Sequence, residues 1–326
     1  MLIEYRIVVV DVVVDVDVDV DGDVALNDMT FRIRAAYLCC CVLWGSTWMF
    51  IKFGLRDLPP LLFAGVRMLL AAAVLLPFAA RTGLRGYGKR ALGWMVLVGV
   101  VQIGIPYALL FAGQQWIPSA LAAILFATFP VWLALVARLL LRGQPLTARK
   151  LATALLGISG VALLQLPALR GATLSTLAAL GGALILLASV VVAFANVLVR
   201  KELGPYPPIV IAFVQVLAGA LLIVALSAAL ERGQPASFTP RAVLVIAYLA
   251  VLGTAVTYLL LFWLIPRVPI SAIGAIPLLD TTVAVILGAL VLREEVGWPL
   301  LGGGALVLSA AALANQAGTE PAPERS

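Results

Sequence analysis

Ten runs of roughly twenty apolar residues, joined by short polar connections, leave this chain little choice of fold, because each is the length a helix needs to cross about 30 Å of hydrocarbon. They lie near 36–55, 60–80, 91–113, 117–140 and 148–166 in the first half, and near 176–199, 208–230, 241–265, 269–291 and 298–316 in the second. Apolar residues make up 63% of the chain and charged residues 12%, whereas soluble chains are about half apolar and a quarter charged. The reading is an all-α polytopic membrane protein of ten transmembrane helices, with the lipid bilayer as its first partner.

The spans form two copies of one plan. Pro59-Pro60 is followed by Arg67 seven residues later, and Pro207-Pro208 by Gln215 at the same spacing, 148 residues on. Lys52 falls on Arg200 at that offset, and Tyr107, Phe111 and Pro118 fall on Tyr258, Phe262 and Pro269 at an offset of 151. Two five-helix repeats, 36–166 and 176–316, follow. Lys and Arg favour the cytoplasmic side. With the N-terminus inside, the inner segments carry 14 of them and the outer segments 6, so both termini are expected in the cytoplasm. Five is odd, so the second copy enters from the opposite side. Inverted repeats of this kind expose a central site alternately to each face.

Residues 1–28 hold eight of the sixteen acidic residues and alternate Val with Asp. They lack the basic start and unbroken apolar centre of a signal peptide. This leader reads as a disordered tail, or as an upstream extension of a chain that starts at Met29; residues 317–326 read as a short polar tail. Asp17, Asp19, Asp21 and Asp28 fit a calcium-loop frame, a weak match in a stretch where nearly every second residue is Asp. The chain contains no His, which excludes imidazole chemistry, so any proton coupling must use carboxylates. Consecutive Cys39, Cys40 and Cys41 point about 100° apart on a helix and converge on no metal; they read as apolar filler, with palmitoylation the lesser alternative.

Trp44-Gly45-Ser46, Lys52, Pro60, Arg67, Pro130 and the run from Leu146 in the first copy, with Tyr258, Pro269, Asp280, Gly288 and Glu295 in the second, resemble the ten-helix EamA-type branch of the drug/metabolite transporter superfamily. The resemblance covers about 36–316 and implies a helical bundle that exports amino acids or other small metabolites, in a bacterial inner membrane and without a cofactor. Two departures stand out. The family's Leu-Gly-Glu after the fourth and ninth helices reads Arg142-Gly143-Gln144 and Arg293-Glu294-Glu295 here, and Asp280 is followed by Thr281 where the family often has Pro, although Pro130 remains in the first copy. Losing that Pro restores a backbone donor and should straighten the ninth helix.

Asp280 lies near the centre of its span, a depth at which an ionisable side chain costs about 2.5–3.5 kcal/mol and needs a partner inside the bundle. It reads as a substrate-ammonium site, as a carrier of a coupling proton, or as a packing residue bonded to Thr281, Thr282 or Ser46. Arg67 either attracts a substrate carboxylate, pairs with Asp280, or anchors its helix by snorkelling. Trp44, Ser46, Thr47 and Gln102 sit at mid-depth. Tyr107 and Phe111 lie toward one face, and their repeat mates Tyr258 and Phe262 toward the other. Those aromatics read as gates at the two ends of a cavity or, singly, as packing. Asn196 and Trp263 are further pathway candidates. Gly157, Gly160 and Gly302–Gly304 read as close-packing positions. Arg149 and Lys150 read as a solvated or headgroup face.

With no P-loop to couple ATP, the expectation is a secondary transporter for a small molecule, a zwitterion among the candidates, driven by a gradient of protons or of the substrate. Nothing in the chain calls for nucleic acid, and its oligomeric state is not legible. A receptor or scaffold is the alternative, and an intramembrane enzyme a weaker one, since no second mid-membrane carboxylate or nucleophile–base pair accompanies Asp280.

Overall fold

A computed structural model describes residues 24–84, 86–114, 116, 125–141, 147–164, 175–292 and 298–316. Among them the chain has no strand and forms ten helices: α1 (Val24–Gly54), α2 (Pro60–Thr82), α3 (Lys89–Gly99, Val100–Gly104 and Ile105–Gln114), α4 (Phe129–Leu140), α5 (Ala148–Leu164), α6 (Thr176–Leu198 and Val199–Leu203), α7 (Pro208–Leu230), α8 (Pro240–Ala250, Val251–Val256 and Thr257–Leu264), α9 (Ile270–Leu292) and α10 (Trp298–Gln316). Five of them are long and apolar enough to cross a membrane by length and composition alone: Pro60–Thr82, Lys89–Leu110, Thr176–Leu203, Pro208–Leu230 and Pro240–Leu264. Their outward faces are aliphatic, with Leu69, Leu187, Leu221 and Leu244 exposed, as contact with lipid requires.

The duplicated proline pair is a duplicated helix start. Pro59 and Pro207 sit just outside α2 and α7, and Pro60 and Pro208 take the first helical position, where a residue without an N–H loses nothing and a fixed φ suits the turn. α2 stops at Gly83, whose φ of 97° lets its amide reach the Ala79 and Ala80 carbonyls; a Cβ would strain that conformation. Ser175 and Thr239 cap α6 and α8 by accepting from Ala178 and Ala242, each at 3.1 Å.

The repeats interlock around a twofold relation. α2 packs along its mate α7 and α5 along its mate α10; α1 packs on α9 as α6 packs on α4. The mates run antiparallel. The start of α2 touches the end of α7, where Leu61 and Leu62 N–H groups donate to Glu231, while just beyond the other end of the pair the rings of Tyr87 and Tyr206 meet edge to face at 5.8 Å. Helices made from the same frame yet antiparallel mean that the two copies are inverted. α5 and α10 approach through small residues: a Cβ on Gly157 would lie 3.3 Å from that of Ala310, and one on Gly160 2.8 Å from Val307. In lipid such close backbones supply the attraction that the hydrophobic effect cannot.

Three features depart from expectation. α1 begins at Val24, so residues 24–28 of the stretch read as a disordered leader are helical; an apolar run marks only the part of a helix at hydrocarbon depth, and intrahelical hydrogen bonding continues past it. α3 and α8 each carry a π-helical turn, Val100–Gly104 and Val251–Val256, starting 151 residues apart. α9 has Pro277 in its interior, four residues before the Thr281 position from which the family's proline has gone. Its ring therefore removes a donor one turn earlier instead. Of the calcium-loop frame, Asp17, Asp19 and Asp21 lie outside the described residues, and Asp28 falls within α1.

Candidate functional site

The two π-helical turns organise the candidate site. Such turns widen a helix and leave some carbonyls short of their usual partner, and in α8 side chains take up the slack. Thr254 Oγ1 donates to the Leu249 carbonyl at 2.8 Å and Thr257 Oγ1 to that of Leu252 at 2.5 Å. Into this break reaches Arg67 of α2, only 3% exposed. Its Nε donates to Thr254 Oγ1 at 2.9 Å and its Nη2 to the Gly253 carbonyl at 3.2 Å, with the Tyr107 hydroxyl at 3.4 Å. The guanidinium carbon also lies 5.8 Å from the centre of the Tyr107 ring, within cation–π range. Among the described residues these partners use Nε and Nη2 and not Nη1.

Tyr107 and Tyr258 occupy equivalent positions in the two copies, and their hydroxyls lie close enough to interact. The side chains of mates placed toward opposite ends thus reach inward and meet beside Arg67. Trp44 packs edge to face on Tyr258 with ring centres 5.7 Å apart, and Phe262 lies on the far side of Tyr258 at 5.7 Å. Phe262 is buried in the main apolar core, which makes it a support for Tyr258. Phe111 lies on α3, and its side chain is outside the described residues.

Asp280 is elsewhere. It is buried on α9, accepts from Thr281 Oγ1 at 3.3 Å, and stands against α1 beside Gly45. A Cβ on Gly45 would come within 2.7 Å of the Asp280 carbonyl oxygen and 2.6 Å of Val283, so this glycine of the Trp-Gly-Ser motif is what lets α9 approach. Cys40 and Cys41 both lie close enough to feel the Asp280 charge. Cys40, Trp44 and Thr47 also contact α8, through the Thr257 carbonyl, Tyr258 and Gly253. Helical periodicity puts Cys41 and Gly45 on a different side of α1 from those three. The acid and the buried arginine therefore lie on different sides of α1.

Ser46 donates to the Leu43 carbonyl at 2.7 Å and shares a 2.7 Å hydrogen bond with the Tyr248 hydroxyl. Tyr248 in turn packs on Phe50, with centroids 4.1 Å apart. Thr281 donates to the Pro277 carbonyl at 2.8 Å, Gln102 is buried within the α3 break, and Asn196 is buried near the end of α6. Trp263 is buried, and Arg267 lies over its ring at 4.6 Å.

Sequence reasoning did not single out Thr254, Tyr248, Glu231, or the contact in which Arg241 grips Asp57 through Nε at 3.1 Å and Nη2 at 2.7 Å while Thr239 donates to it at 2.8 Å. A hydroxyl and a glycine side by side at mid-span, Gly253-Thr254, were the available signal for the first. The others become visible only when the 55–59 and 231–239 connections are seen to lie together.

The EamA-like transporter family model matches residues 34–166 and again 179–316. The chain belongs to the EamA-like transporter family. It is 29% identical over 252 residues to the uncharacterized inner membrane transporter YedA of Escherichia coli (strain K12), covering 76% of this chain and 78% of that one. It is 24% identical over 271 residues to the uncharacterized transporter YoaV of Bacillus subtilis (strain 168), covering 82% and 90%. A solved crystal structure shares the fold with a TM-score of 0.76 at 16% identity, over 88% of this chain and 97% of that one. The protein is an integral membrane transporter of the drug/metabolite transporter superfamily, acting on a small-molecule substrate.

Proposed function

We propose that this family member is a secondary transporter that exports amino acids or similar carboxylate-bearing metabolites by alternating access across a bacterial inner membrane, with both termini cytoplasmic. The observation that carries the reading is the buried Arg67 guanidinium held at the α8 break beside the neighbouring repeat mates Tyr107 and Tyr258. A cation at that depth, already fixed by α8 and Tyr107 and with Nη1 donors to spare, suits a planar carboxylate, which a guanidinium fork binds in two-point fashion. Trp44 supplies an apolar wall. Because Tyr107 and Tyr258 come from opposite copies, rocking one repeat against the other separates their hydroxyls and changes which face Arg67 is open to.

Asp280, on another side of α1, is assigned the coupling proton. It is the one carboxylate near mid-span, and its position between α1 and α9 lets a change in its charge alter how those helices pack. The activity is transport rather than catalysis, with no cofactor required. The test is efflux from proteoliposomes loaded with the twenty L-amino acids, with and without a pH gradient. Wild type is expected to release a subset in a gradient-dependent way, and Asp280→Asn to abolish the flux or its pH response while remaining folded in the membrane. Wild-type vesicles that release no amino acid under any gradient would falsify the reading.

A further inference from the structure

Three buried side-chain amides gather around the π-helical turn of α3, and protein groups leave part of each unused. Gln102 lies within the turn, Gln215 on α7 and Asn196 near the end of α6, at 3%, 0% and 2% exposure. Among the described residues, Gln215 finds no partner for either Oε1 or Nε2, nor do Gln102 Oε1 and Asn196 Oδ1. Asn196 spends its Nδ2 on the Val192 carbonyl at 2.9 Å.

These residues share one level of the bundle. A Cβ on Gly99, at the edge of the turn, would lie 2.5 Å from the Gln215 Cα, and one on Gly219, a turn further along α7, would lie 2.6 Å from Ile103 within it. α6 packs antiparallel on α3, with Gly113 against Gly181 and Ile185 and the end of α6 against the first half of α3. That register brings Asn196 to the turn as well.

The repeat relation gives the cluster its meaning. Gln215 is the mate of Arg67, and the α3 turn is the mate of the α8 turn. Where Arg67 spends its donors on Gly253 and Thr254 of the α8 break, Gln215 stands at the α3 break with its amide unspent. Leaving buried amide groups unpaired is costly, and a core position that needed only volume would hold Leu. Three unpartnered carbonyl oxygens against one unpartnered amino group make the cluster a set of acceptors.

We propose that Gln102, Gln215 and Asn196 form a second, uncharged station on the transport path, which binds an N–H-bearing group of the substrate, an ammonium or an amide, through their carbonyl oxygens. It rests on the transporter reading above and deepens it. Arg67 holds the carboxylate in one half of the path, and the amides hold the nitrogen end in the other. Being neutral, the second station replaces the hydrogen bonds of water without holding the substrate by charge, so passage between stations stays reversible.

The experiment pairs stability with flux. Purified full-length wild type, Gln215→Leu and Gln102→Leu are compared for thermal stability without substrate, and for efflux from proteoliposomes loaded with the nineteen L-amino acids other than proline and the N,N,N-trimethyl derivative of each. Each Leu variant should be more heat-stable than wild type, because an unpaired buried amide has been replaced by an apolar side chain. Efflux of the free amino acids should fall about tenfold for each lost hydrogen bond, and preference for the free over the trimethylated form should collapse. A drop in thermal stability, or failure to fold, in both variants would show that the amides have protein partners and overturn the proposal. Unchanged efflux and preference in more stable variants would overturn it too, while leaving the transporter reading intact. No efflux from wild-type vesicles removes the path, and the station with it.

Discussion

Replacing Glu231 should loosen one end of the bundle, because this residue at the end of α7 closes a helix of the other repeat. α2 begins with Pro60, which has no N–H, so the amides of Leu61 and Leu62 are the first that lack an intrahelical acceptor. Glu231 Oε1 accepts from Leu61 and Oε2 from Leu62, each at 2.7 Å, and Ser227 Oγ donates to Oε2 at 2.8 Å. A hydrogen bond to a charged group contributes about 1.5–3 kcal/mol, and a carboxylate at a helix N-terminus adds about 0.3–1 kcal/mol through the helix dipole. Water reaching the freed amides returns part of that, so Glu231→Ala should cost about 2–3 kcal/mol. Gln keeps one carbonyl oxygen for one of the two amides, and should cost about half as much. Ser227→Ala removes a hydroxyl that acts only through the carboxylate; it should cost about 1 kcal/mol alone and nothing in the Glu231→Ala background. Equilibrium unfolding in mixed micelles of rising SDS fraction, followed by tryptophan fluorescence, measures all four. Full additivity of the two alanine variants, or a Glu231→Ala protein within about 0.5 kcal/mol of the parent, would refute the assignment of Glu231 as the cap.

Other consequences can be checked in the same preparations. The Arg241 guanidinium and the Thr239 hydroxyl hold the Asp57 carboxyl below its ordinary value of 3.8, so the charged form is the one the folded state favours. That contribution is fully present above the ordinary value and is lost as pH falls below it. Arg241→Gln should therefore show a stability deficit that is constant from neutral pH down to about 4 and shrinks below it; a deficit that grows with acid would contradict the pairing. Gly99→Ala should destabilise by about 1–3 kcal/mol or more, since its methyl would meet α7 backbone that cannot yield, while Gly93→Ala, with open space around it, should be neutral or slightly stabilising in the same unfolding assay. Arg67→Lys should retain the charge but fail to restore carboxylate efflux, because an ammonium cannot span Thr254, Gly253 and a ligand at once; wild-type flux in that variant would remove the fork from the mechanism.

Much of the fold can be read locally. The span marked at 60–80 is the helix Pro60–Thr82, and the one at 208–230 coincides with Pro208–Leu230, because a helix that must satisfy its own backbone in hydrocarbon announces itself by length and apolarity alone. The Pro-Pro frame marked the duplication, and the odd number of spans per copy required the inversion that the antiparallel α2 and α7 display. Gly45 was noticed as part of a motif, but its purpose, the approach of Asp280, needed α9 in place. The pairing of Tyr107 with Tyr258 shows the limit most clearly. Their equivalence was visible at an offset of 151, but equivalence says nothing about whether two side chains turn apart or together.

What the sequence determined by itself was therefore the class of protein, the number and bounds of its apolar spans, the duplication and its inversion. These follow from the hydrocarbon thickness, the repeated Pro-Pro frame and the odd number of spans in each copy, all read along the chain without knowing which helices meet. What only the tertiary structure decided was which faces meet. The spans are apolar on nearly every side, so no periodicity of polar and apolar residues tells the inner face from the lipid face. That Arg67 spends its charge on a π-helical turn of α8, that Asp280 lies on another side of α1, and that Glu231 closes a helix of the other copy all depend on contacts between helices far apart in the chain.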